Sequence, residues 1–265
     1  MSRKKDNLRG EHEPAESSGN RGIKWVLGAV AVAAVAILGY SLATGAFADA
    51  ATEPVDLDYA DDPDRLIEAA QGQEMGDPDA PVTLMEFADY QCPGCAFFAL
   101  QIKPQLREDF IEPGQLRFVL HDYPLEQHGN AFLAARAAHC AGDQDVYWDY
   151  HDILAAQQES WSLQSDPRGE FVDYAGAAGA DEGEFRECLN SDRHAETVTA
   201  NALLGDQLGV TGTPTVLLSD GGSPQRIEEW GEYDELSAAI RDLIGDDAED
   251  DAEEDDEDAD TDESG

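Results

Sequence analysis

Val82-Thr-Leu-Met-Glu-Phe-Ala-Asp-Tyr-Gln-Cys-Pro-Gly-Cys95 is the stretch on which the reading of this chain turns. The apolar run Val82 to Ala88 ends in a short polar break, and Cys92, Pro93, Gly94 and Cys95 follow at once. Beyond them Phe98, Ile102, Leu106 and Phe110 recur four apart, which stacks them on one helix face. The pair of cysteines therefore sits where a buried strand hands over to a helix, with Pro93 in the first turn, where its missing N–H is no loss. Free backbone N–H groups and the helix dipole stabilise a thiolate at that place, so Cys92 is the candidate nucleophile. Cys95, one turn deeper, is the candidate resolving thiol of a pair that cycles through a disulfide. Half of a zinc site, or two inert thiols, is the plainer alternative.

Glu86 adds to this reading. Val82, Leu84, Glu86 and Ala88 share one strand face, which puts a carboxylate in an apolar row. Burial without a partner raises a carboxyl pKa, and such an acid beside Cys95 can accept and return its proton. A sheet-edge Glu reaching water is the alternative.

Composition narrows the remaining classes. The 265-residue chain carries 58 acidic and 16 basic residues, a formal net charge of -42. Arg3, Lys4, Lys5, Arg9, Arg21 and Lys24 all precede a hydrophobic segment, and beyond it only Lys103 and nine arginines remain. A surface that binds nucleic-acid phosphates is excluded by that balance. So acidic and lysine-poor a chain is expected to be halophilic, because a Debye length of ~3 Å in molar salt screens its self-repulsion.

Residues 1–22 are polar and expected to be a disordered cytoplasmic segment. Residues 23–43 hold the uncharged run Trp25 to Leu42, about 27 Å as a helix and close to a bilayer core. Basic residues lie only on its N-terminal side, which predicts a single-pass membrane anchor with the rest of the chain extracytoplasmic. A cleaved signal peptide ending near Ala48 is the competing reading. Residues 44–73 read as an acidic tether with one short helix around Arg65–Gln71.

Residues 74–245 form the predicted folded domain. Strands are expected at Val82–Ala88, Gln115–His121, Thr215–Leu218 and Gln225–Trp230, the last two as an antiparallel hairpin around Gly221-Gly222-Ser223. Pro104 is expected to kink the cysteine-bearing helix. From about 125 to 208 the pattern turns helical, near Phe132–Ala141, Tyr147–Ala155, Gly169–Ala178, Asp181–Leu189 and Ala195–Leu208. Tyr233–Ile244 reads as the closing helix. Residues 246–265, with fourteen carboxylates and no base, are expected to be a disordered acidic tail.

Gly76 through Cys95 resembles the opening of a DsbA-like thioredoxin-fold oxidoreductase, and Val210-Thr-Gly-Thr-Pro-Thr215 resembles that family's cis-proline loop. His121 to Leu125 and Ala137 to Ala141 are similar to further family segments, and the likeness spans about residues 74–245. It implies an α/β, thioredoxin-like fold with an inserted α-helical subdomain, here preceded by one transmembrane helix. It also implies a cis Thr213–Pro214 bond, in a loop that aligns the substrate chain next to Cys92. The expected function is thiol-disulfide exchange with the cysteines of exported proteins, using Cys92, Cys95 and Glu86 and no organic cofactor or metal. A membrane quinone-linked thiol oxidase is the redox partner the family implies. Strongly oxidising DsbA proteins carry His where this chain has Gly94, which leaves a reductase or isomerase open. From another class, a copper chaperone using Cys92 and Cys95 is the rival, and it would want further His or Met ligands near the motif.

Cys140 and Cys188 lie outside the motif, within Ala-His-Cys-Ala and Arg-Glu-Cys-Leu. Both fall near predicted helix ends, and an even cysteine count in an oxidising compartment favours pairing. A structural Cys140–Cys188 disulfide tying two helices of the insertion is expected, with two buried free thiols as the alternative. None of the six histidines is marked as a metal ligand; His121 and His128 are at most modulators of the active face.

Overall fold

The structure, a computed structural model, describes the backbone of residues 50–257 and the side chains of residues 50–245. The predicted cytoplasmic segment and membrane anchor lie outside the described residues. Among those described, no helix is long and apolar enough to cross a membrane.

Why Val82–Ala88 is apolar at nearly every position is explained by where it lies. As strand β2 it is the centre of a five-stranded sheet in the order β1-β3-β2-β4-β5. The others are β1 (Gln73–Met75), β3 (Leu116–Asp122), β4 (Thr215–Ser219) and β5 (Gln225–Ile227). β2 pairs in parallel with β3, Glu86 opposite Leu120, and antiparallel with β4, Glu86 opposite Val216. A strand covered on both faces must be apolar on both. β1 is a strand the sequence reading missed; its three residues sit where the tether was expected to end. β4 and β5 form the expected antiparallel hairpin, but β5 stops at Ile227, and Trp230 turns in to pack against Phe98.

Helix α1 (Pro63–Ala69) precedes the sheet, and helix α2 starts at Pro93 immediately after Cys92. α2 is α-helical over Pro93–Phe97 and Lys103–Leu106 and widens into π turns over Phe98–Ile102 and Arg107–Ile111. Pro104 has no N–H to give, and the helix adapts by loosening: Lys103 N–H reaches back five residues, to Phe98 O. The expected face is buried as a row, with Phe98 and Leu106 at 0% exposure and Ile102 and Phe110 at 3%. It packs with Leu84, Phe118 and Val216 of the sheet and with Leu236 and Ile240 of the closing helix α9 (Tyr233–Glu257). α9 runs past Ile244, where the sequence reading ended it.

Between β3 and β4 lies the helical insertion: α3 (Ala131–Gly142), α4 (Tyr147–Ala156), the single turn α5 (Gln158–Trp161), α6 (Arg168–Ala178), α7 (Glu182–Leu189) and α8 (Ala195–Gln207). It has its own core, built on Tyr150, Trp161, Phe171 and Phe185 against the alanine face of α3. Cys140 of α3 and Cys188 of α7 are joined by a disulfide, their Cα atoms 5.8 Å apart. α8 lies against the opposite face of the sheet from α2, and Gly205 makes that approach possible. A Cβ there would stand 2.7 Å from Tyr123 Cδ2 and 3.1 Å from Phe87 Cδ1.

The expected tether is not loose. From Ala50 the chain is laid along the insertion: Ala51 N–H donates to Asp192 Oδ1 at 2.7 Å and Val55 N–H to Thr199 Oγ1 at 3.0 Å. Arg136, fully buried in α3, donates to the carbonyls of Ala51, Leu189 and Ser191. Leu66 of α1 is completely buried against Ala200 of α8, a burial worth ~1.5–3 kcal/mol. Acidic composition hid this, because the few apolar residues of the segment fall one per turn rather than in a run.

Candidate active site

Cys92 is the N-cap residue of α2, in extended conformation, and Cys95 lies in its first turn; both are free thiols. The cap position points the free N–H groups of Gly94 and Cys95 at the Cys92 sulfur. The Cys92 thiol is lowered from 9.0 to about 5, first by its hydrogen bond with Cys95, then by one with Thr213 and by those backbone N–H groups, with burial opposing. Burial pushes Cys95 well above the usual thiol range, and its bond to Cys92 and the nearby Glu86 carboxylate add to this. One thiol is thus a thiolate at neutral pH while its neighbour holds its proton.

Glu86 stands in the apolar row where the alternation placed it, 2% exposed, and because β2 is central it has no sheet edge from which to reach water. Burial raises its carboxyl to about 8; the Lys103 ammonium pulls it down and the Cys92 charge pushes it up. Glu86 and Cys95 line one small cavity beneath the motif.

Thr213 and Pro214 come to the same place from the loop before β4. The Thr213–Pro214 bond is cis, as the resemblance implied. Cys92 Sγ lies 3.2 Å from the Thr213 carbonyl oxygen, to which its protonated form donates. A Cβ on Gly94 would lie 3.0 Å from Pro214 Cδ and 3.4 Å from Trp230 Cη2, so proline and indole close over the dipeptide between the cysteines. Next to them Phe97 and Leu100 of α2 remain exposed, at 45% and 37%. An apolar rim beside a thiolate suits an unfolded cysteine-containing chain. Cys140 and Cys188 are bonded in the insertion and take no part in this cluster.

Several site residues escaped the sequence reading. Asp89, 1% exposed, donates its N–H to Cys95 Sγ at 3.4 Å. Its carboxylate accepts from Gln91 N–H at 2.6 Å and Leu125 N–H at 2.8 Å, and bonds His128 Nδ1 at 2.8 Å. This buried carboxylate staples the loop before α2 to the start of the insertion. His128 thus acts on the site through Asp89, whereas His121 faces away from it and bonds Asn201. Gln158 donates to the carbonyls of Tyr90 and Cys92 at 2.7 and 3.0 Å. Lys103, 3% exposed, bonds His151 and Asp152 of α4. It carried a signal: it is the one lysine after residue 24, and it stands next to the buried Ile102 in the cysteine-bearing helix.

A dithiol at a helix N-terminus, a buried acid behind it and a cis-proline loop in front define a redox protein of thioredoxin fold. The family model described as Thioredoxin matches residues 68–242. The curated "Disulfide bond formation protein D" of Bacillus subtilis is 29% identical over 168 residues, covering 63% of this chain and 74% of its own length. The crystal structure of oxidised BdbD from Bacillus subtilis superposes with a TM-score of 0.60 at 28% identity, over 68% of this chain and 95% of that one. That of Wolbachia pipientis alpha-DsbA1 superposes with a TM-score of 0.59 at 23% identity, over 66% and 92%, and shows the fold alone. In two further curated relatives the matched segment spans only 23% and 48% of their length. The chain belongs to the thioredoxin family, as a DsbA-like thiol-disulfide oxidoreductase.

Proposed function

We propose that the Cys92–Cys95 couple oxidises cysteine pairs in exported proteins outside the membrane. A substrate thiolate attacks Cys92 Sγ of the oxidised pair, the Cys92–Cys95 bond breaks, and Cys95 leaves with the electron pair. Its high proton affinity is met by Glu86, which is protonated below about pH 8 and gives up its proton. A second substrate thiolate then attacks the substrate sulfur of the mixed disulfide, and Cys92 leaves as a stable thiolate. Thr213 and Pro214 hold the substrate chain beside Cys92.

The inequality of the two thiols carries the direction. A stabilised Cys92 thiolate stabilises the reduced enzyme, and each pKa unit of depression is worth ~1.4 kcal/mol or ~30 mV towards a stronger oxidant. The equilibrium constant of the couple against glutathione tests this. A value as reducing as that of a general reductase overturns the oxidase reading in favour of the reductase or isomerase. Residues 23–43 supply the membrane anchor, and a quinone-linked thiol oxidase of the membrane returns the pair to its disulfide. Chain composition supports adaptation to concentrated salt, and the melting temperature should rise between about 0.1 M and about 3 M KCl.

A further inference from the structure

Each passage of the dithiol through its cycle leaves Glu86 one proton short or one proton over, and the Glu86 side chain is itself buried, at 2% exposure. The cavity it shares with Cys95 is about 10 Å³, room for a single water. Its wall is completed by His151 of α4. Behind His151 the polar groups continue outward. Lys103 Nζ donates to His151 Nδ1 at 3.2 Å and to Asp152 Oδ1, and His151 Nδ1 is 2.9 Å from Asp152 Oδ1. The Lys103 and His151 side chains are 4% and 5% exposed, whereas that of Asp152 is 51% exposed. The three groups thus run from the cavity wall to solvent.

We propose that His151, Lys103 and Asp152 form the proton conduit between Glu86 and solvent, with His151 as its gate. The proposal rests on the reading of Glu86 as the proton donor to Cys95. When the disulfide opens, Cys95 takes the Glu86 proton. Glu86 takes one in turn from the ring N–H of His151 through the cavity water, His151 Nδ1 takes one from the Lys103 ammonium, and Lys103 recovers its own from solvent at Asp152. One proton moves from solvent to Cys95, and no electrons move beyond those of thiol exchange. Closure of the disulfide runs the chain backwards.

The imidazole is suited to this. Burial, and next the Lys103 charge, hold His151 at about 4, so at neutral pH it is an uncharged ring with one N–H and one lone pair. With Nδ1 engaged by Lys103 and Asp152, Nε2 is the nitrogen left for the cavity. Other titratable groups face the relay. Cys92 and Cys95 act on Glu86 from α2, while Asp89 and Tyr90 share its cavity from the loop. Asp89 is committed to Gln91, Leu125 and His128. Tyr90 and Tyr147 bond each other and stay neutral. Asp122 acts on His151 from the end of β3, and Arg107 on Lys103.

The test is the rate at which dithiothreitol reduces the oxidised full-length protein, followed against pH in H2O and D2O. His151→Gln, His151→Ala and Asp152→Asn are compared with Glu86→Gln, and each fold is checked by its melting curve. His151→Gln and His151→Ala should slow reduction about tenfold at neutral pH and enlarge the solvent isotope effect. Added imidazole should restore His151→Ala, and Asp152→Asn, which keeps the side-chain shape but removes the charge facing Lys103, should slow the step about twofold. Wild-type rates and isotope effects in the His151 and Asp152 variants, with Glu86→Gln impaired, overturn the conduit and leave Glu86 in place. If Glu86→Gln is also unimpaired, the Glu86 reading falls as well. Slowing of the His151 variants without imidazole rescue or a changed isotope effect means a packing role only, and overturns the proposal.

Discussion

The two cysteine pairs of this chain share a chemistry and almost nothing else. Cys92 and Cys95 are free thiols at a helix start, with backbone N–H groups, a buried acid and an apolar rim around them. Cys140 and Cys188 are a closed disulfide between two helices, 1% and 2% exposed, linking residues 48 apart in sequence. The first pair has neighbours that lower the proton affinity of one sulfur, and the buried Glu86 carboxyl lines a cavity with its mate. The second has Asp143 at 3.6 Å from Cys188 Sγ, and a nearby carboxylate disfavours a thiolate there. Reactivity here follows from the charge and access around a sulfur, not from the cysteine itself.

The largest expected effects come from removing the nucleophilic sulfur of the first pair or both sulfurs of the second. Cys92→Ser should bring turnover of a dithiol peptide down to the uncatalysed exchange rate while leaving the protein folded, with the Cys140–Cys188 bond closed. The double change Cys140→Ser and Cys188→Ser should do the reverse, costing ~2–5 kcal/mol in urea unfolding while each folded molecule keeps its turnover. Loss of turnover per folded molecule in that double variant would join the two pairs into one system and break the contrast.

A graded glutathione titration sharpens it next. Cys92–Cys95 should reduce well before Cys140–Cys188, read by differential alkylation and mass spectrometry. Co-reduction of both bonds at one potential would contradict a structural role for the second.

The pH dependence of stability of the reduced protein is smaller and has a definite sign. Glu86 has its pKa raised from 4.5 to about 8, so between those values the folded state holds the proton the unfolded chain has lost. Stability from this group therefore falls as pH rises through that window. Cys92, lowered from 9.0 to about 5, contributes oppositely: its share is present above the unfolded value and is lost as pH falls towards about 5. Glu86→Gln should consequently gain on the wild type as pH rises from about 4.5 to about 8. A difference between the two that stays flat across that window would mean Glu86 is not held protonated. Absorbance titration of the thiolate should place Cys92 near 5.

The smallest effect is expected at Gly94. A Cβ there would stand 3.0 Å from Pro214 Cδ and 3.4 Å from Trp230 Cη2, a tight fit that makes the proline give by a few tenths of an ångström, so Gly94→His alone should move the potential only slightly. Combined with Trp230→Ala, the imidazole gains space, and the couple should shift towards a stronger oxidant. An equal shift from the single change would show that the indole does not control this position.

By itself the sequence determined what depends on neighbours along the chain. Alternation in Val82–Ala88 located the central strand and put Glu86 on its buried face. Fourfold spacing from Phe98 to Phe110 fixed the inward face of the cysteine-bearing helix. The helical insertion and the pairing of Cys140 with Cys188 were legible from periodicity and cysteine count. Only the tertiary structure decided what depends on residues far apart in sequence. Asp89 gains its partners from Leu125 and His128, and Lys103 meets His151 and Asp152 across an interface between α2 and α4. The acidic segment after Ala50 is docked because Arg136 and Ala200 wait for it on the insertion. Local pattern records which face of an element is apolar, because that is a property of its own side chains. Which polar group will be buried, and beside which partner, is set by the packing of elements that share no sequence, and there the free energies of a desolvated acid, lysine and histidine are decided.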